Sequence, residues 1–321
     1  MKALILGGRG AVGRATIAVL EKRGHRAVAA GRTVATPEGI RLDAASADGR
    51  RRLSEAAGDF DAVVNAAGLE DPELVSLLPD TPLIEISATA AYLAELRDNS
   101  GPATVVLGAG IAPGVSTILA AGLTRRDDDD IDVAVMLGTG EAHGPAAVAW
   151  TAGLAGHDIH LPAEGGRVRN LRERRRFLAG GRNRLHLRAD FPDHVLLARD
   201  GGKIRSYLAL SSGLATAGLA LVGAVPSWRG LLASAPHWGD ARWEISAINR
   251  RNGEALSASG IGQSATTGEF AALAAILAAE SPHRGAVTMA DIADIGLLRQ
   301  AESVLAMTAH PLAGAHRPGT D

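Results

Sequence analysis

Lys2-Ala3-Leu4-Ile5-Leu6-Gly7-Gly8-Arg9-Gly10-Ala11-Val12-Gly13 passes from a short apolar run directly into spaced glycines and then into a helical pattern. The run predicts a strand over 2–7. A helix follows from about Val12 to Arg23, with Val12, Ala15, Ile17, Val19 and Leu20 on its apolar face and Gly24 as its stop. In this strand–turn–helix context the Gly-x-Gly-x-x-Gly spacing has a physical reading. The chain must turn sharply, admit a pyrophosphate against bare backbone, and pack helix on strand with no Cβ between them, while the helix N-terminus faces the phosphates. Gly8, Arg9, Gly10, Ala11, Val12 and Gly13 are therefore the first candidate cofactor-binding residues.

Working outward, short apolar runs at 26–30, 61–66, 82–87 and 103–108 alternate with helical patterns at βαβ spacing, and Ile40-Arg41-Leu42-Asp43 reads as a short extra strand. The fold class is α/β, a Rossmann doubly wound parallel sheet. Its second strand, Arg26 to Ala30, ends in Gly31-Arg32-Thr33, without the carboxylate that would bind a ribose 2′-hydroxyl. Arg32 offers a bidentate fork to a 2′-phosphate instead, Thr33 adds a hydroxyl, and Arg9 can reach the same group. The expected cofactor is NADP. Asp43 is either an acceptor for the adenine amino group or an exposed turn aspartate. Asn65, Ala66, Ala67, Gly68, Ser87 and Gly108 lie at the carboxyl ends of later strands, where ribose and nicotinamide should sit. Pro113 and Gly114 open a further helix whose free amides can face cofactor or substrate.

The pattern changes at Arg125-Arg126-Asp127-Asp128-Asp129-Asp130, four successive carboxylates that repel one another and stay solvated. Strands are expected at 131–138, 184–189, 194–199 and 203–210, then at 242–248 and 254–261 around the hairpin cue Asn252-Gly253. A helix from about Thr266 to Glu280 and a further helical pattern over 287–308 follow. The expected organisation is 1–125 for dinucleotide binding, 126–284 as a second α+β domain on a mostly antiparallel sheet, for substrate and dimerisation, and 285–321 as a helical segment returning to the first domain.

Composition narrows the function. The 321 residues carry 33 Lys+Arg against 35 Asp+Glu, a formal charge of −2, which argues against a nucleic-acid partner. Cysteine is absent, excluding disulfides, thiolate nucleophiles and iron–sulfur clusters, so redox chemistry needs a borrowed cofactor. The N-terminal apolar run is too short for a signal peptide, and Leu208 to Val225, broken by Ser211, Ser212, Thr216 and glycines, reads as a buried or interface helix. No membrane and a cytoplasmic location are expected.

Several motifs together resemble the saccharopine dehydrogenase-like oxidoreductases: residues 7–13, Gly31-Arg32, Ile84-Glu85-Ile86-Ser87 before Tyr92-Leu93, Ala112-Pro113-Gly114-Val115-Ser116, and Thr266-Thr267-Gly268. The resemblance implies a Rossmann domain interrupted by an α/β substrate domain, a homodimer, and NAD(P)-linked reduction of a C=N bond formed from an amine and a carbonyl compound; some relatives reduce C=C bonds of lipid-like substrates instead. This chain is short for that family, which disfavours saccharopine itself as substrate.

For proton supply the sequence offers His143, in the glycine-rich loop 138–145, with Glu141 as a weaker acid. Trp150 and Thr151, on the helix that follows, are candidate substrate contacts, as is Arg176 in the basic stretch 167–176, which otherwise reads as a solvated face. Neither Tyr92 nor Tyr207 has a lysine four residues on, so a tyrosine–lysine mechanism is excluded. His157 and His160 lack further ligands, and no metal is expected. The expected function is an NADPH-dependent imine reductase. Reduction of C=C or C=O bonds in an apolar substrate, and a non-catalytic NADP-sensing or scaffold role, are the alternatives.

Overall fold

The computed structural model describes residues 1–33, 37–141, 145–198, 202–234, 239–281 and 283–310. The first third builds strands β1 (Lys2–Leu6), β2 (Arg26–Gly31), β3 (Ile40–Arg41), β4 (Ala62–Asn65), β5 (Leu83–Glu85) and β6 (Val105–Leu107). Helices α1 (Ala11–Lys22), α2 (Ala47–Ala57), α3 (Ala90–Asn99) and α4 (Val115–Ala121) alternate with them. Leu4, Ile5, Val63, Val64, Val105 and Val106 are wholly buried, as strands covered on both faces must be.

The middle of the chain adds β7 (Ile131–Leu137), α5 (Pro145–Leu154), β8 (Arg174–Ala179), β9 (Arg182–Arg188), α6 (Asp193–Leu196), β10 (Ile204–Leu210), α7 (Gly213–Ala224), β11 (Arg242–Asn249), β12 (Ala255–Ile261) and α8 (Gln263–Glu280). The chain closes with β13 (Ala286–Thr288), α9 (Met289–Ile292), α10 (Ile295–Gln300) and β14 (Val304–His310). Two sheets result. The first is parallel throughout, in the order β13-β6-β5-β4-β1-β2-β3; the second runs β14-β12-β11-β7-β10-β9-β8, antiparallel except where β7 meets β10. This is the α/β architecture expected, a doubly wound Rossmann sheet followed by a mostly antiparallel one.

The differences are local. Of the strand expected over 194–199, residues 194–196 belong to α6 and residue 199 lies outside the described residues. Pro192 starts that turn, and Asp193 is held inside it by Ser116 Oγ at 2.6 Å and Ser206 Oγ at 3.1 Å, so buried hydrogen bonds override a short apolar run. Strand β8 carries part of the arginine stretch and joins β9 through Gly180 and Gly181, both with positive φ. The segment 287–308, expected to be helical, holds only the short helices α9 and α10 between a strand of the first sheet and one of the second, because β13 pairs with β6 and β14 with β12. The stretch 208–225 divides into the end of β10 and α7, and no helix among the described residues is long and apolar enough to cross a membrane.

The two sheets are joined by packing. Helix α8 lies against α1, where a Cβ added at Gly268 would stand 2.5 Å from Ala15 Cβ. Helix α4 packs on β7, β11 and β12, and Arg97 on α3 donates to the carbonyls of Val195 and Leu196 at 2.7 and 3.1 Å.

Candidate dinucleotide site

Strand β1 lies between β2 and β4, so the strand order reverses beside it, and the crevice at its carboxyl end is where a doubly wound sheet accepts a ligand. The glycine loop is built for close approach. A Cβ at Gly8 would stand 2.6 Å from Ala29 Cβ, and one at Gly13 would collide with the Gly7 carbonyl oxygen. Gly7 takes φ 73° and accepts the Gly10 amide at 2.8 Å, which completes the turn. Gly10 caps α1 with no side-chain acceptor at the helix N-terminus, and Arg9, Gly10 and Ala11 are exposed there while Gly13 is buried. The cradle fits a pyrophosphate: bare backbone, unblocked helical amides and no acidic residue in the first turn.

Arg32 and Thr33 are exposed just beyond β2, and Arg9 Nη1 donates to Thr33 Oγ1 at 2.8 Å. The arginine of the glycine loop and the end of the second strand thus meet at one rim. Among the described residues Arg32 has no ion-pair partner. Asp43 is exposed in a turn: its Oδ1 accepts the Ala45 amide at 3.2 Å, and its carbonyl accepts the Ser46 amide just before α2.

The carboxyl ends of β4 and β5 carry a polar node. Asn65 Nδ2 donates to Glu85 Oε2 at 2.7 Å and to the Leu69 carbonyl at 2.8 Å, Tyr92 donates its hydroxyl to Glu85 Oε2 at 2.9 Å, and the Ser87 amide donates to Oε1 at 2.8 Å. Burial outweighs these donors and pushes the Glu85 carboxyl up to about 7. Asn65 is thus a strut rather than an open cofactor contact, whereas Ala67 and Gly68, next along the loop, are exposed. Above the node, Ser87 Oγ and Thr89 Oγ1 both donate to Glu70 Oε1, at 2.5 and 2.7 Å. Glu70 belongs to no motif; Glu85 lies within Ile84-Glu85-Ile86-Ser87, one of the stretches that carry the family resemblance, but its burial and its partners are set by its place at the end of β5.

The remaining candidates scatter. Gly108, Pro113 and Gly114 belong to a close-packed loop, with Pro113 and Gly114 buried and a Cβ at Gly108 blocked by Pro113. Helix α4 begins at Val115 with Gly114 as its N-cap, close to the expected start near Pro113, but its first amides bond to the Gly110 and Ile111 carbonyls. Trp150 Nε1 donates to the Ala88 carbonyl at 3.1 Å and its ring lies 4.8 Å from Phe191, pinning α5 to the β5 loop. Thr151 is half-buried and its hydroxyl donates to the Ala147 carbonyl of its own helix. Arg176 is exposed on edge strand β8 and donates to the Asn183 carbonyl. Glu141 accepts the Gln263 and Ser264 amides at 2.6 and 3.1 Å, capping α8. His143 lies outside the described residues.

Residues 3–109 match the model of the NAD dependent epimerase/dehydratase family. No curated protein matches the sequence. Apo saccharopine dehydrogenase (L-Glu forming) from Saccharomyces cerevisiae superposes with a TM-score of 0.63 at 12% identity, over 97% of this chain and 100% of that one. A meso-dapdh mutant from Clostridium tetani E88 with DAP aligns over 93% and 98% at 9% identity, with a TM-score of 0.45. The 3-alpha-hydroxysteroid dehydrogenase from Pseudomonas sp. B-0831 matches 31% of this chain and 57% of its own, at 20% identity and a TM-score of 0.25. From the glycine loop to the second sheet, the chain has the fold of saccharopine dehydrogenase.

Proposed function

We propose that this chain is an NADP-dependent oxidoreductase that reduces a C=N bond formed from an amine or amino acid and a carbonyl compound. The observation that carries the cofactor choice is Arg32, exposed beyond β2 beside the Arg9–Thr33 contact, where an NAD site would need a carboxylate. Gly8 to Gly13 and the α1 N-terminus would hold the pyrophosphate, and Arg32 with Arg9 and Thr33 the 2′-phosphate. The bound nicotinamide supplies hydride. The chain's own part is alignment: the Asn65–Glu85–Tyr92 node fixes the β4 and β5 loops, and Trp150 fixes α5 over them. Similarity in fold to saccharopine dehydrogenase supports the C=N assignment over a C=C or C=O acceptor.

The test is NADPH consumption with a panel of cyclic imines and of amine–carbonyl mixtures, against matched ketones and enones. Imine-dependent turnover with NADPH supports the reading. Turnover only with ketones or enones, or with none of the panel, contradicts it.

A further inference from the structure

Glu70 differs from the other carboxylates near the sheet edge in having its orientation fixed and its charge uncompensated. Both hydroxyls that hold it, Ser87 Oγ at 2.5 Å and Thr89 Oγ1 at 2.7 Å, bond to Oε1, and neither uses Oε2. The side chain is exposed, and among the described residues it has no arginine, lysine or histidine partner, whereas its neighbour Asp71 is paired with Arg50. Glu85, below it, has both oxygens occupied by donors and is buried, so it cannot take a ligand without breaking the node. Glu70 bridges the loops that follow β4 and β5, the side of the crevice opposite Arg32, and Trp150 of α5 bonds to Ala88 between its two hydroxyl donors.

We propose that Glu70 is the specificity-determining anchor for a cationic nitrogen on the acceptor, so that the site selects a protonated imine over a neutral ketone or alkene. The inference rests on the reductase reading for an acceptor at this edge and adds its charge. A carboxylate oriented by two hydroxyls loses little freedom on accepting an N–H bond from a cation, and a charge-assisted bond is about twice as strong as a neutral one. A protonated imine also brings its own proton, so the pocket needs no side-chain acid for this class of acceptor.

Binding tests the proposal apart from turnover. The NADP+-loaded protein is titrated, by calorimetry or ligand-observed NMR, with pyrrolidinium and protonated 1-pyrroline and with their neutral counterparts cyclopentanol and cyclopentanone. The same set is run on Glu70→Gln, which keeps an oxygen for Ser87 and Thr89 and removes the charge. The intact protein should prefer each cation by about tenfold or more, and the variant should lose that preference while its NADPH affinity stays within about twofold. Equal binding of cation and neutral partner, no binding of either cation, or a preference that survives in Glu70→Gln overturns the anchor. Cation preference without imine-dependent NADPH oxidation would sink the reductase reading and leave the anchor standing; oxidation unaffected by Glu70→Gln would do the reverse.

Discussion

Asn65 and Glu85 are register partners across the parallel strands β4 and β5, and the amide of one donates to the carboxylate of the other at 2.7 Å. Each residue ends its strand, so this contact sets the spacing of the two loops that should border the nicotinamide end of the crevice. Tyr92, in the first turn of α3, ties the helix to the same carboxylate.

Glu85 should make stability depend on pH. Its folded pKa, about 7, lies above the ordinary value of 4.5, so the folded state holds a proton that the unfolded state has released. The associated stability is present below about pH 4.5 and is lost as pH rises through 7, by roughly 3 kcal/mol at 1.36 kcal/mol per unit. Urea unfolding of the protein and of Glu85→Gln at several values between pH 4.5 and 8 measures this. The difference between them should shrink or change sign across the interval; a constant difference would remove Glu85 as the source.

Neither tyrosine should be the acid. Tyr92 donates to Glu85, and Tyr207 to Glu173 at 2.7 Å, with burial pushing both hydroxyls up, Tyr207 to about 12. Tyr92→Phe and Tyr207→Phe should keep single-turnover NADPH oxidation within about tenfold, short of the roughly 100-fold loss that removal of a general acid brings. A larger loss in either, with NADPH affinity intact, contradicts this.

Gly13→Ala would place a methyl against the Gly7 carbonyl and 2.8 Å from Gly8 Cα, both backbone and unable to yield as a side chain does. The variant should lose at least about tenfold in NADPH affinity and roughly 1–3 kcal/mol in stability. Gly268→Ala, at the contact of α8 with α1, should lose similar stability while cofactor affinity changes little. Urea unfolding and calorimetry on the pair separate a loop requirement from a packing requirement.

The first sheet was legible because its strands are short apolar runs flanked by glycine and helical periodicity, and each candidate over 2–108 falls on a strand within two residues. The second sheet was legible where turn chemistry is local, as at Asn252-Gly253 between β11 and β12, where Gly253 has φ 74°. It failed where distant partners decide. Asp193 becomes helical because Ser116 and Ser206 reach it, and 304–310 becomes a strand because β12 has a free edge. At the site, the glycine loop and Arg32 carry sequence signals of their own. Glu70 does not, and Glu85, although inside the Ile84-Glu85-Ile86-Ser87 motif, takes its role as Glu70 does, from groups 17 to 20 residues away and from strand register.

Calorimetric titration of NADPH and NADH into the unmodified protein, with Arg32→Asp as control, measures whether the rim at Arg32 recognises a 2′-phosphate. One charge-assisted contact to the 2′-phosphate contributes roughly 1.5–3 kcal/mol, so NADPH should bind about 10- to 150-fold more tightly than NADH, and Arg32→Asp should erase or reverse the difference. Equal affinities for the two dinucleotides in the unmodified protein would contradict the account.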